Sequence, residues 1–186
     1  NFEILGSVKI LNEPKRFNLI TKAKNADKIL YTRESYDEFP DLWLTDSAFS
    51  FKKKLSSANP QMANFNWGLA ELVDWTIQSG DTIKGIVIKP EDFDAKKRYP
   101  VVIYFYEQMT DGLYNFNQPY TGRNWCFPQY VSDGYIVFKP DVKYRIGFPG
   151  ESALECINAG VKKLVSLGIA DSNAIGIWGH SWSGYQ

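Results

Sequence analysis

The chain has 186 residues, with 21 Lys and Arg against 21 Asp and Glu, so its formal net charge is zero. No block of about five or six like charges occurs, which argues against a nucleic-acid binder, whose surface needs a basic field. Hydrophobic residues make up 44% and charged residues 23%, the balance of a globular domain rather than a disordered one, and no apolar run approaches the roughly eighteen residues of a membrane span.

The chain opens at Asn1 with no visible signal peptide, which suggests a processed protein or an excised piece. Its first sixty residues read as short strands separated by turns: Phe17 to Thr21, Lys28 to Arg33 and Asp41 to Thr45. Such even spacing points to an antiparallel sheet of the propeller-blade kind, and because a propeller needs at least about four blades, residues 1–60 are expected to be the end of a larger β domain. The polar stretch Lys52 to Pro60 (Lys-Lys-Lys-Leu-Ser-Ser-Ala-Asn-Pro) reads as the linker out of it.

Beyond residue 60 the pattern changes. Leu72 to Gln78 and Thr82 to Lys89, separated by Ser79-Gly80-Asp81, form an expected hairpin. Val101 to Tyr106, Tyr135 to Phe138 and Ala174 to Trp178 are continuous β-branched and aromatic runs, the signature of strands buried on both faces. A helix is expected from near Gly150 to Gly168, with Leu154, Ile157, Val161 and Leu164 as its apolar stripe. Cys156 falls inside this pattern and reads as a small buried hydrophobe; with Cys126 as the only other cysteine, no disulfide framework is possible. Buried strands alternating with helices specify an α/β domain with a largely parallel sheet over residues 61–186.

The last strand runs directly into Gly179-His180-Ser181-Trp182-Ser183-Gly184, a Gly-x-Ser-x-small-Gly pattern. A serine on such a sharp strand-to-helix turn is held in a strained conformation with its hydroxyl exposed above the sheet, and small flanking residues (Gly179, Ser183, Gly184) let the backbone pass close to itself. Ser181 is therefore the candidate nucleophile. Trp182, the next residue, would offer its backbone N–H to an oxyanion.

Gly-Ile-Trp-Gly-His-Ser-Trp-Ser-Gly, preceded by Leu-Gly-Ile-Ala-Asp-Ser-Asn at Leu167 to Asn173, resembles the catalytic turn of the prolyl oligopeptidase family of serine peptidases. Lys-Arg-Tyr-Pro-Val-Val-Ile-Tyr-Phe-Tyr at Lys97 to Tyr106 is similar to that family's third sheet strand. The resemblance implies the doubly wound sheet of an α/β-hydrolase, here its N-terminal part, preceded by the last strands of a β-propeller. It also implies that Tyr106 donates the second oxyanion hydrogen bond from its side chain, and that the substrates are short peptides, often cut after proline. Where the family commonly has Gly-Gly-Pro after this tyrosine, the chain has Glu107-Gln108-Met109, and Ser183 stands where glycine is commoner.

A triad needs a general base and an acid to orient it. The one histidine, His180, directly precedes Ser181 and points elsewhere, so it reads as a structural residue of the turn, and Asp141, at the end of the fourth predicted strand of this domain, reads as a structural loop residue. In α/β-hydrolases the chain order is Ser, acid, His, so the triad acid and His are expected beyond this chain, which alone should be inactive. One histidine and two distant cysteines have no metal-ligand spacing, and the glycines make no phosphate loop, so no metal or cofactor is expected. The turn by itself leaves open an esterase or other acyl hydrolase, and a non-catalytic binding module on the same fold. The pattern is silent on oligomeric state.

Overall fold

A computed structural model describes residues 11–119 and 125–186, which divide into two compact units. One holds the residues up to Met62 together with Tyr114–Phe116, the other Ala63–Leu113 and Asn117–Gln186.

The first unit is a four-stranded antiparallel meander of β1 (Arg16–Lys22), β2 (Ile29–Ser35), β3 (Glu38–Thr45) and β4 (Lys53–Lys54), in that spatial order. Tyr31 is its fully buried centre, with the rings of Phe17, Trp43 and Phe49 at 6.1, 6.4 and 5.6 Å. The stretch read as a linker is instead laced to this sheet. Lys53 and Lys54 pair with Leu44 and Trp43 as β4. The Ser56 hydroxyl and the Ala58 N–H donate to the buried Asp41 carboxylate at 2.6 and 2.9 Å, and Lys54 pairs with its other oxygen at 2.6 Å. A buried carboxylate must be satisfied by hydrogen bonds or an ion pair, and that requirement orders a segment whose composition alone suggests a connector.

The second unit carries a five-stranded sheet, β5 (Leu69–Thr76), β6 (Thr82–Lys89), β7 (Tyr99–Tyr104), β8 (Ile136–Pro140) and β9 (Ala170–Trp178), ordered β5-β6-β8-β7-β9. The β5–β6 hairpin closes through the Ile77 N–H to the Asp81 carbonyl at 3.0 Å, with Gly80 at φ 87° in the turn. The sheet is mixed rather than largely parallel: β5–β6 and β6–β8 are antiparallel, β8–β7 and β7–β9 parallel. The three mutually parallel strands are linked in chain order through helices, α1 (Phe127–Ser132) between β7 and β8 and α2 (Pro149–Ser166) between β8 and β9, since parallel strands need a crossover that a hairpin cannot provide.

The two helices cover opposite faces. Side chains alternate along a strand, and Val101, Ile103, Ile136 and Phe138 share a core with Ala153, Cys156, Ile157 and Leu164 of α2. The alternate residues Tyr104 and Lys139 meet Phe127 of α1. The apolar stripe of α2 differs from the expected one. Ile157 and Leu164 are buried, but Leu154 is 62% exposed, and small residues, Ala153, Cys156 and Gly160, complete the contact face. They are small because the helix lies close to the sheet. A Cβ on Gly160 would sit 2.8 Å from Phe138 and 2.9 Å from Trp75. These two rings pack edge to face at 5.4 Å, and the Trp75 indole N–H donates to the Cys156 carbonyl at 3.0 Å. The helix stops where expected, at Gly168, whose φ of 75° favours glycine. No helix among the described residues is long and apolar enough to cross a membrane.

After β7 the chain places β8 on one side of it and β9 on the other. Such a reversal of strand order opens a crevice at the carboxyl ends of the parallel strands. The segments leaving those ends are Phe105–Leu113, Asp141–Phe148 and Gly179–Ser181.

Candidate active site

Ser181 occupies the turn between β9 and α3 (Trp182–Tyr185), with φ 56° and ψ −118°. A non-glycine residue rarely holds this conformation, which carries a strain of about 1–3 kcal/mol and persists only where its surroundings enforce it. Those surroundings are visible. A Cβ on Gly179 would lie 2.7 Å from the Ser183 carbonyl oxygen and 2.9 Å from the Gly184 nitrogen, so only glycine lets β9 fold this tightly onto α3. Ser183 is buried, and its hydroxyl both accepts from the His180 N–H and donates to the His180 carbonyl, each at 2.9 Å. A serine thus fits this position and also staples the turn. The expected need for a small residue at 184 is not met in the same way, because a Cβ there would have ordinary van der Waals room at 3.5 Å from the Gly179 carbonyl. Ser181 is exposed. The Trp182 N–H is the first of α3 and has no partner within the helix.

The His180 ring lies against Trp178 at 6.3 Å, its plane nearly parallel to the indole, and against Trp125 at 5.6 Å. It belongs to an aromatic row that continues through Tyr104 to Phe127. At the Phe127 end sits Lys139, 6% exposed, its ammonium 5.1 Å from the ring; burial lowers its pKa to about 8. Burial also holds the Tyr104 phenol above its ordinary pKa, with Tyr106 a smaller contributor.

Tyr106 lies beyond β7, which ends at Tyr104 rather than at Tyr106 as the sequence suggests, and is 40% exposed. Its segment is anchored by the one that leaves β8. The Asp141 carboxylate accepts from the Met109 and Thr110 N–H groups at 2.6 and 2.8 Å and from the Thr110 hydroxyl at 2.5 Å. The Val142 N–H donates to the Glu107 carbonyl at 2.9 Å. Asp141 therefore orders the loop, the structural role its position suggests. Tyr144, which sequence reasoning passed over, donates its hydroxyl to the Tyr106 carbonyl at 2.6 Å and accepts from the Trp182 indole N–H at 3.0 Å. Its only sequence signal is a tyrosine in a loop at the carboxyl end of a buried strand. Among the described residues no cluster of three His, Cys, Asp or Glu side chains could hold a metal ion.

No family model and no curated protein matches the chain. Solved structures do. The AtxE2 isopeptidase is similar at a TM-score of 0.69 and 15% identity over 94% of this chain and 28% of its own. Oligopeptidase B from Trypanosoma brucei gives 0.66 and 16% over 94% of this chain and 26% of its own, and dipeptidyl peptidase 4 from Porphyromonas gingivalis gives 0.64 and 18% over 96% and 27%. The chain thus shares its fold with peptidases of the group its motifs resemble, and it spans roughly a quarter of their length.

Proposed function

We propose that these residues belong to a serine peptidase in which Ser181 attacks the scissile carbonyl and forms an acyl intermediate. The observation that carries this reading is the backbone of Ser181, strained at φ 56° and ψ −118° at the carboxyl end of a parallel strand and enforced by Gly179 and Ser183. That backbone supports reading the turn as a nucleophile elbow, which lifts a hydroxyl clear of the sheet and opens the following N–H toward developing charge. The Trp182 N–H and the Tyr106 hydroxyl are assigned as oxyanion donors, worth most in the transition state, where the carbonyl oxygen becomes anionic. The general base is assigned to a histidine outside residues 1–186, oriented by an acid that also lies outside them, because His180 is engaged with Trp178 and Trp125. The four-stranded meander is read as part of a β-propeller preceding a doubly wound hydrolase sheet. Short peptides are the proposed substrates, in keeping with the peptidases that share the fold.

The test is labelling of the full-length protein by a fluorophosphonate, since only a serine activated by a base attacks phosphorus at a useful rate. Modification confined to Ser181, together with Ser181→Ala abolishing cleavage of proline-containing peptides, is expected. Labelling at another residue overturns the assignment, and labelling at Ser181 with cleavage of esters but not of amides assigns the site to an esterase.

A further inference from the structure

Tyr144 belongs to neither of the two segments that carry the proposed chemistry, yet its hydroxyl touches both. It donates to the Tyr106 carbonyl at 2.6 Å and accepts from the Trp182 indole N–H at 3.0 Å, with the Gln186 side-chain oxygen at 3.2 Å. Its ring also meets that of Trp182 at 6.2 Å, near edge to face. The two residues it joins are the two assigned oxyanion donors. One follows β7 and the other β9, while Tyr144 comes from the segment after β8, on the far side of β7 from β9.

We propose that Tyr144 is a positioning residue that fixes the separation of the two oxyanion donors by bridging the Tyr106 main chain to the Trp182 side chain; the inference rests on the serine-peptidase reading. The bridge has a firm base. Asp141 N–H donates to the Lys84 carbonyl at 2.8 Å, and Asp141 and Val142 hold Glu107 to Thr110. The loop behind Tyr106 is thereby pinned, and Tyr144 pins Tyr106 itself. Because Tyr106 and Trp182 are partly exposed, at 40% and 38%, the two hydrogen bonds compete with water and each adds only about 1 kcal/mol to stability. Their effect on donor geometry is larger, since a displacement of about 1 Å at a reacting centre lowers rate by about a hundredfold. A residue that merely stapled a loop would show the reverse balance.

The experiment measures p-nitrophenyl acetate hydrolysis by the full-length protein and its Tyr144→Phe, Tyr106→Phe, double and Ser181→Ala variants, with thermal midpoints alongside. Tyr144→Phe is expected to lower kcat by about tenfold to a hundredfold with KM within about twofold and with little change in thermal midpoint. The double variant should be no slower than Tyr106→Phe by more than about twofold, because Tyr144 acts through the same donor. If Tyr106→Phe is slow while Tyr144→Phe matches the parent, changes KM alone, or multiplies fully with Tyr106→Phe, the positioning role is overturned and the oxyanion assignment stands. If Ser181→Ala retains turnover, the serine-peptidase reading falls and the inference with it; if Tyr106→Phe is silent while Ser181→Ala is inactive, the nucleophile stands but the oxyanion assignment falls and takes the inference with it.

Discussion

Replacing Lys139 by Met should stabilise the protein at neutral pH. Lys139 lies on β8, opposite Ile86 of β6 in the sheet register, 6% exposed, with its ammonium 5.1 Å from the Phe127 ring. Tyr104, on the same ring, stays neutral because burial raises its pKa, so it supplies no counter-charge. Burial lowers the lysine pKa from 10.5 to about 8, and at about 1.36 kcal/mol per pKa unit the buried charge destabilises the fold by roughly 3 kcal/mol. Met has a similar length, fills irregular gaps and removes that penalty. It also forfeits a cation–π contact of about 1 kcal/mol, leaving a net gain of about 2 kcal/mol. The sign with pH follows from linkage. Below the folded pKa both states are protonated and the penalty is complete. Between about 8 and 10.5 the unfolded chain binds more protons, so parent stability rises with pH while that of the variant gains nothing from this group. Urea unfolding of Lys139→Met and parent at pH 7 and pH 10, followed by tryptophan fluorescence, should show an advantage for the variant that shrinks or reverses at the higher pH. A variant less stable than the parent at pH 7, or a difference that is constant across this range, would refute the reasoning.

Tyr106→Phe should lower kcat by about a hundredfold to a thousandfold with little change in KM, the usual loss for one oxyanion donor, as read from steady-state kinetics of the full-length protein. Gly160→Ala should destabilise by about 1–2 kcal/mol in urea unfolding, because overpacking against Phe138 and Trp75 outweighs the gain of about 1 kcal/mol in helix propensity. Asp41→Ala should cost about 1–3 kcal/mol at neutral pH by stranding Ser56 and the Ala58 N–H. Burial raises the pKa of Asp41, but hydrogen bonds from Lys54, Ser56 and Ala58 outweigh it and hold the carboxyl below its ordinary value. That contribution is therefore present at neutral pH and fades as acid protonates the carboxylate, so the parent and Asp41→Ala should converge in stability on acidification.

The sequence by itself determined the features that depend on neighbours along the chain. Alternation of apolar runs and turns located eight of the nine strands among the described residues, and the Gly-x-Ser pattern marked the turn at Ser181, because a tight backbone approach between Gly179 and Ser183 excludes a Cβ whatever lies elsewhere. Tertiary structure decided what depends on partners far apart in sequence. β4 exists because Asp41 is buried and needs Ser56 and Ala58. The exposure of Leu154 and the choice of Gly160 follow from how near α2 comes to Trp75, 81 positions from the Cys156 carbonyl that its indole meets. Tyr144 makes its hydrogen bonds to Tyr106 and Trp182, each 38 positions distant. Local sterics and periodicity are written in a single segment, whereas a hydrogen bond across strand ends is fixed only once the order β8-β7-β9 brings three separate loops to one edge of the sheet.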